Sequence, residues 1–279
     1  MSRMTREELL AEVKAGQTVA GRDLEGLPME KAFLAGAVFE RCSMRNIQFH
    51  ESNLEGAIFR SCDLYGAGFK DSGLRESWFK DCSLMRSDFS GAQMVEASLS
   101  QVTLRKALFR DANLNQAFFV DVKAEVTDFT GARMQRLLAT GCSFLLCRFD
   151  DIRAEYMTAA KSDFSGSVLT GAVLDRAVLM GANFTLAVLH GASLRGCPMK
   201  AANFFSSDMR AAKFTKSNME GCQLMAVNAE GTLLDGVNLS HALLTEGNFT
   251  GASFDGSYLT QVSREGGKFE GASFQGARE

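Results

Sequence analysis

A period of five residues constrains the fold of this chain more than any other feature. From Leu24 to Phe274, the positions numbered with a final 4 or 9 hold Leu, Phe or Met at 45 of 51 places. We call each of these positions a centre. The six exceptions are Ala124, Ala139, Ala154, Ala159, Ala229 and Arg264. A period of five is neither the 3.6 of an α-helix nor the 2 of a β-strand. It fits a short extended segment followed by a turn.

The residues around each centre follow the same period. Two positions before a centre the side chain is usually small, and two positions after it lie 22 of the 26 glycines. One large and one small inward side chain per repeat would fill a thin core, and glycine would permit unusual turn dihedrals. Four such segments make a square coil of about 20 residues, and coils stack at roughly 4.8 Å.

Individual repeats resemble a known signature. Four segments resemble the A(D/N)Lxx pattern of pentapeptide-repeat proteins: Gly181–Thr185 (GANFT), Ala201–Phe205 (AANFF), Gly251–Asp255 (GASFD) and Asp111–Asn115 (DANLN). The resemblance implies an all-β fold, a right-handed quadrilateral parallel β-helix of about 13 coils. We therefore expect an N-terminal segment over residues 1–19 and one pentapeptide-repeat β-helix over residues 20–279.

The two ends of the predicted β-helix differ. Thr5 and Glu8 have the spacing of a capping box, and Leu9 lies in the helix predicted over residues 5–15, which Gly16 ends. This helix is expected to cover the first coil, although a partner-binding helix is the alternative. At the C-terminal end no helix follows the repeats. There, four apolar centres are expected to be partly uncovered and to support a homodimer through the C-terminal coil: Phe254, Leu259, Phe269 and Phe274.

The charge and hydropathy of the chain exclude some functions. Lys and Arg (30) nearly balance Asp and Glu (33), which argues against direct nucleic-acid binding. No apolar run reaches the length of about 18 residues that a membrane span needs. Residues 1–16 lack the apolar core of a secretory signal. We expect a cytoplasmic protein.

The residues that could take part in catalysis or metal binding are better explained by a structural role. All seven cysteines occupy the small inward position, where Cys serves as a buried apolar filler with a free thiol: Cys42, Cys62, Cys82, Cys142, Cys147, Cys197 and Cys222. His50, His190 and His241 are too far apart to form one site. No nucleophile elbow, P-loop or zinc-protease motif is present. The sequence predicts no enzyme, no cofactor and no metal site.

Residues 122–159 deviate from the pattern. Ala139, Ala154 and Ala159 replace large centres, while large side chains stand two positions before them. The exchange conserves volume, which suggests a repacked core. A local kink that serves recognition is the alternative.

One surface position suggests a partner site. The residue before a centre is usually polar, but on one side of the coil it is apolar at 20-residue spacing in Val38, Ile58, Trp78, Phe118 and Leu138, with only Ser98 polar among them. Apolar surface surrounded by charge is typical of protein interfaces. The alternative is that β-branched and aromatic residues simply suit strands.

The sequence thus predicts a non-catalytic scaffold or adaptor that binds a protein of unknown identity. Pentapeptide-repeat proteins with a similar short N-terminal helix resemble components of bacterial type VI secretion effector loading. The alternative is a DNA mimic that modulates type II topoisomerase (gyrase) and gives quinolone resistance. The near-neutral charge of −3 and the lack of a C-terminal helix argue against that alternative. A catalytic effector is the least favoured class.

Overall fold

The structure is a computed structural model that describes residues 4–279. It contains two compact units, the first ending at Leu137 and the second comprising Leu138–Glu279. Each unit is a right-handed quadrilateral parallel β-helix in which residues 20 apart pair in register. With 20 residues per coil, the first unit contains about six coils and the second about seven.

The turn that closes each five-residue segment uses a left-handed residue. At all 53 positions from Gly16 to Gly276 whose numbers end in 1 or 6, φ is positive. Glycine occupies 22 of these positions, as expected from its freedom to adopt this conformation. The other 31 are not glycine and include Val126 and Leu146. The repeat therefore imposes the left-handed turn even on residues that locally disfavour it.

The first unit contains the helix and all the strands assigned in the described residues. They are α1 (Arg6–Lys14), β1 (Val19–Ala20), β2 (Val38–Glu40), β3 (Ile58–Arg60), β4 (Trp78–Lys80), β5 (Ser98–Ser100) and β6 (Phe118–Val120). The six strands form one parallel sheet in sequence order. On the other sides of the coil, neighbouring coils are joined by single parallel bridges such as Asp63 to Ser83.

The core of the first unit is two columns of phenylalanine rings. Phe49, Phe69 and Phe89 stack with centroids 5.3 and 4.5 Å apart, and the column continues through Phe109 to Phe129. Rings of the second column, which begins at Phe39, meet the first edge to face. Such contacts add to the energy of area burial.

Helix α1 covers the first coil. Thr5 Oγ1 accepts from the Glu8 backbone N–H at 3.3 Å, and Glu8 Oε2 accepts from the Thr5 N–H at 2.8 Å, which completes the predicted capping box. Leu9 is fully buried. Arg6 donates to the carbonyls of Pro28 and Glu30 at 2.9 and 3.0 Å, and so ties the helix to the coil. Within residues 4–279, no helix is long and apolar enough to cross a membrane.

The second unit is built from bridges and turns. Phe164, Phe184 and Phe204 form its main ring column, with centroids 5.0 Å apart at each step. Phe149 lies in this unit, 5.5 Å from Phe144 in an edge-to-face contact. The small centres listed above, Ala139, Ala154 and Ala159, are buried, as are the large residues before two of them, Ile152 and Met157. The volume exchange inferred from the sequence therefore occurs inside the core.

The last coil is the least covered part of the second unit. Phe269 and Phe274 are half-buried, as expected. The expectation was wrong for Phe254 and Leu259, which are 0% and 3% exposed because the following coil covers them. Arg264, the charged exception among the centres, lies with its guanidinium 5.4 Å from the Phe274 ring centroid.

Candidate interaction surface

One corner of the first unit is built differently from an ordinary corner. At an ordinary corner the residue three after a centre donates its N–H to the carbonyl of that centre, as Ala57 does to Leu54 at 3.0 Å. Among the described residues, four successive coils of this unit lack the bond at one corner, between Phe39 and Cys42, Phe59 and Cys62, Phe79 and Cys82, and Leu99 and Val102. We call this the open corner.

The open corner lengthens the strands that lead into it. Extended backbone continues one residue past the centre, to Glu40, Arg60, Lys80 and Ser100. Side chains before and after each centre therefore project from one flat sheet face. In one coil the backbone N–H that lacks the turn bond has a different acceptor, since the Cys62 N–H donates to Cys82 Sγ at 3.5 Å.

An apolar stripe runs along this face. It consists of Val38, Ile58, Trp78 and Phe118, with Ser98 between the last two, and strand pairing places each member beside the next. Trp78 is 55% exposed and Phe118 is 43% exposed. The Trp78 indole has no aromatic, cationic or hydrogen-bond partner among the described residues. Large apolar side chains in such a row are available for contact.

Leu138, the fifth residue predicted for the stripe, belongs to the second unit. It is 44% exposed and pairs with Thr158. The stripe in the first unit thus has four apolar members, and the assignment of Leu138 to the same surface stays a prediction.

A shallow depression lies beside Trp78. It has a volume of about 340 Å³ and is lined by Ile58, Arg60, Ser61, Trp78, Lys80 and Asp81. Apolar and charged groups meet there, which is the composition of an interface anchor point rather than of an enclosed ligand pocket.

An acidic rim flanks the stripe on the corner before the strands. This glutamate rim consists of Glu55, Glu76 and Glu96, together with Arg75. Arg75 pairs with Glu76 at 3.0 Å and with Glu96 at 3.3 Å. Three carboxylates against one guanidinium leave this side of the stripe with an excess of negative charge.

A rim of different character flanks the stripe at the open corner. In the coils that contain β2 to β5, this basic rim holds three cations and two anions, namely Arg41, Arg60, Lys80, Glu40 and Asp81. Of these, Arg60 and Glu40 pair at 3.1 Å. The sequence indicates charges beside the stripe, but the asymmetry of the two rims was missed. The signal that could have revealed it is the 20-residue register applied to the turn positions.

The cysteines are free and buried, as predicted. Cys42, Cys62 and Cys82 stack at the open corner behind the stripe, and each thiol lies near a backbone carbonyl of the preceding coil. The hydrogen bond with Cys62, together with burial, raises the pKa of Cys42, whereas the hydrogen bond with Cys62 lowers the pKa of Cys82. Burial raises the pKa of Cys197 and Cys222 to about 12. Most of these thiols thus favour the neutral form.

The histidines make no contact with one another within either unit of the described residues. His50 Nδ1 accepts from the Lys70 N–H at 3.2 Å in the first unit, while His190 and His241 lie in the second. Within the described part of the chain, no group of three His, Cys, Asp or Glu residues is placed to hold a metal ion.

A second set of exposed apolar residues lies in the second unit. Leu146, Leu186 and Phe205 are 54%, 63% and 41% exposed at one corner, and both leucines have positive φ. They were missed from the sequence because only the position before each centre was considered. The signal was present in the apolar residues at turn positions that are usually polar or glycine.

The repeat geometry agrees with the match to family models. The model described as "Pentapeptide repeat region" matches residues 32–109, and "Pentapeptide repeats (8 copies)" matches 147–185, 162–200, 182–221 and 222–261. The chain belongs to the pentapeptide-repeat family. No curated protein matches this pentapeptide-repeat protein.

Solved structures of pentapeptide-repeat proteins are similar to this chain at low identity. HetL, a pentapeptide repeat protein involved in heterocyst differentiation regulation from the cyanobacterium Nostoc sp. strain PCC 7120, is 20% identical with a TM-score of 0.33, covering 99% of this chain and 97% of its own. QnrB1, a plasmid-mediated fluoroquinolone resistance protein, is 18% identical with a TM-score of 0.46, covering 73% and 93%. These likenesses concern the fold alone.

Proposed function

We propose that this pentapeptide-repeat protein is a non-catalytic protein–protein interaction scaffold or adaptor, and that the apolar stripe is its contact surface. The observation that carries the proposal is the apolar row on a flat sheet face between two charged rims, in which Trp78 and Phe118 are exposed and Val38 and Ile58 are half-buried. A row of this kind stays in water at a cost unless a partner covers it. The buried phenylalanine columns behind it hold the face rigid, so little ordering is needed on binding.

The core and surface chemistry support a binding role. The centres of both units are filled by packed side chains. The depression at Trp78 is shallow and open to solvent, and its charged groups, Arg60, Lys80 and Asp81, come from neighbouring coils. Such a surface recognises a complementary face and does not enclose a small substrate.

The finer assignment is to a cytoplasmic adaptor associated with bacterial type VI secretion effector loading. It rests on the capped helix α1, which resembles the N-terminal helix of such components. In this chain Leu9 and Arg6 of α1 are engaged with the first coil, which leaves the exposed side of the helix for a second contact. The partner is expected to be a protein, without direct nucleic-acid contact.

The last coil supports a separate homodimer proposal. Phe269 and Phe274 are half-buried there, and a second copy that packs against this coil would cover both rings. Light scattering at high protein concentration tests this contact. A Phe274→Asp variant should reduce the dimer if the coil forms it, and an unchanged dimer would contradict the proposal.

The test of the stripe is co-purification from the source organism. Trp78→Ala should reduce recovery of the partner, because truncating a central aromatic anchor typically costs about 2 kcal/mol or more, roughly 30-fold in affinity. Phe33→Ala is the matched control, since Phe33 is 74% exposed on a neighbouring side of the same unit. Full recovery with Trp78→Ala would refute the stripe as the binding surface for the co-purified partner.

The topoisomerase alternative has a direct assay. A DNA mimic would inhibit or protect gyrase in a supercoiling reaction. The net charge of −3 and the mixed rims of the stripe do not form the acidic surface that mimicry of a phosphate backbone requires. We expect no effect on supercoiling.

A further inference from the structure

The two rims of the stripe limit what can cover it. Three glutamates and one arginine give the glutamate rim a net charge of −2, and three cations against two anions give the basic rim +1. Neither Glu55 nor Lys80 forms a side-chain hydrogen bond or ion pair among the described residues, and the one charge that acts on Glu55 is the more distant Arg75. A partner that buries the stripe must therefore place positive charge beside the glutamate rim and negative charge beside the basic rim, because like charges placed face to face are strongly unfavourable.

We propose that the occupant of the stripe is a second copy of this chain, packed face to face about a two-fold axis that runs parallel to the stripe. This inference rests on the proposed function, in which the stripe is a contact surface. A rotation about that axis exchanges the two sides of the stripe but keeps each residue at the same position along its length. The glutamate rim of each copy then faces the basic rim of the other.

The pairing agrees coil by coil. Because the level is preserved, each stripe residue meets its own equivalent, so that Trp78 lies against Trp78 of the second copy. In the coil that contains β3, Glu55 faces Arg60 of the second copy. In the coil that contains β4, Glu76 faces Lys80 of the second copy. Two-fold symmetry makes each of these contacts twice, as in any isologous interface.

The ends of the stripe bring no like charges together in this arrangement. In the coil that contains β2, the corner before the strand holds Ala35 and Gly36, which are uncharged. In the coil that contains β6, the anion Asp121 stands across from Asn115 and Gln116 of the second copy, which are also uncharged. The charged contacts are therefore concentrated around Trp78.

The other face-to-face arrangement is unfavourable. A two-fold axis that lies in the face and runs perpendicular to the stripe would leave the two rims on their own sides and reverse the order of the coils along the stripe. The glutamate rim of one copy would then face the glutamate rim of the other, with Glu55 and Glu76 of both copies on the same side. The charges thus select the parallel arrangement.

The contact is small. Five coils and about three extended residues give the apolar face roughly 24 Å by 10 Å. A standard interface buries about 800 Å² on each partner. The dimer is therefore weak, and it forms at high protein concentration or when another contact holds two copies together.

Trp78 is the only tryptophan, so its fluorescence reports directly on the stripe. Wild-type protein should show a blue shift of emission with increasing concentration, in parallel with dimer formation in sedimentation. Glu55→Arg and Arg60→Glu, each alone, should weaken the dimer by more than about tenfold through like-charge repulsion.

An equimolar mixture of the two variants should restore the dimer. In the mixed pair, the arginine introduced at position 55 of one copy faces the glutamate introduced at position 60 of the other. At the symmetry-related contact, the native Glu55 and Arg60 face each other as in the wild type. Restoration by mixing therefore reports the proposed contact itself, which a general change of charge would not reproduce.

Glu25→Arg serves as the control, since it makes the same change of charge at the opposite corner of a coil and should leave the dimer intact. Thermal melts exclude misfolding, and Arg60→Glu is expected to fold because its pair with Glu40 is exposed. The proposal is overturned if Trp78 emission does not depend on concentration, if mixing the variants restores nothing, or if a dimer that persists in a Phe274→Asp background forms without changing that emission.

Failure of this proposal and failure of the proposed function give different results. Loss of a co-purified protein in Trp78→Ala, with a wild-type protein that stays monomeric, would keep the scaffold proposal and reject the second copy. Restored dimers in the mixture, with no co-purified protein affected by Trp78→Ala, would keep the second copy and reject the scaffold proposal.

Discussion

The same corner of the 20-residue coil has two conformations in the two units. In the first unit Cys62 makes no turn bond to Phe59 among the described residues, and the backbone stays extended through Arg60. In the second unit Cys222, at the equivalent position, donates to the Met219 carbonyl at 3.1 Å, and Ala182 donates to Leu179 at 3.0 Å. The first unit therefore has a flat sheet face at this corner, and the second has a closed turn.

The local sequence does not explain the difference. Phe144 and Cys147 close their turn with a bond of 3.3 Å, although Phe59 and Cys62 have the same residue types at the same spacing. What differs is the column to which each corner belongs. Coils of one unit pair in register, and in the first unit the four open turns follow one another without a closed turn between them. The comparison shows that turn geometry in this fold is a property of the stack.

The largest expected effect comes from the core of the flat face. Phe79 is fully buried, and its ring lies 4.7 Å from Phe59 and 5.8 Å from Phe89. Phe79→Ala should lower the free energy of unfolding by about 3–5 kcal/mol, because it removes buried area and leaves a cavity. Denaturant unfolding measures the change, and a loss below that of Trp78→Ala would contradict the assigned inward and outward positions.

The open and closed corners should respond differently to loss of a thiol. Cys82 Sγ is the acceptor for the Cys62 N–H, so Cys82→Ala leaves a buried donor unpaired, at a cost of about 1–3 kcal/mol. Cys222→Ala is the matched control, since the Cys222 N–H keeps its bond to Met219. Chemical denaturation of both variants tests this, and equal losses would mean that the thiol does not replace the turn bond.

Residues 122–159 should exchange amide hydrogens faster than residues 170–220. The alanine centres at 139, 154 and 159 make fewer contacts than phenylalanine or leucine, and local opening follows contact density. Hydrogen exchange with mass spectrometry measures this for residues 122–137 and 138–159 separately. Equal protection across the chain would show that the large residues before the alanines compensate fully.

The smallest expected effect on stability is that of Trp78→Ala. Its side chain points into solvent on the flat face, so the free energy of unfolding should change by less than about 1 kcal/mol. A thermal melt checks this beside the partner assay. A marked drop in melting temperature would mean that the stripe serves the fold rather than a partner.

Much of the fold was predictable because the period is unbroken. Assigning Leu, Phe and Met to the centres placed these side chains inside the coil, and the same period placed every cysteine inside. The prediction failed at Phe254 and Leu259, because it treated the last coil and the coil before it as equally open. The apolar residues of the stripe were also identified from the register, although Leu138 falls in the other unit.

What the sequence by itself determined was the coil: its period, its inward side chains and the left-handed residue at each turn. These follow from volume and backbone freedom within five residues. Only the tertiary structure decided which corner opens, and with it the flat face that carries Trp78 between Glu55 and Lys80. The physical reason is that each turn is short and permits both conformations, whereas hydrogen bonding between stacked coils favours the same conformation in neighbouring turns of one unit.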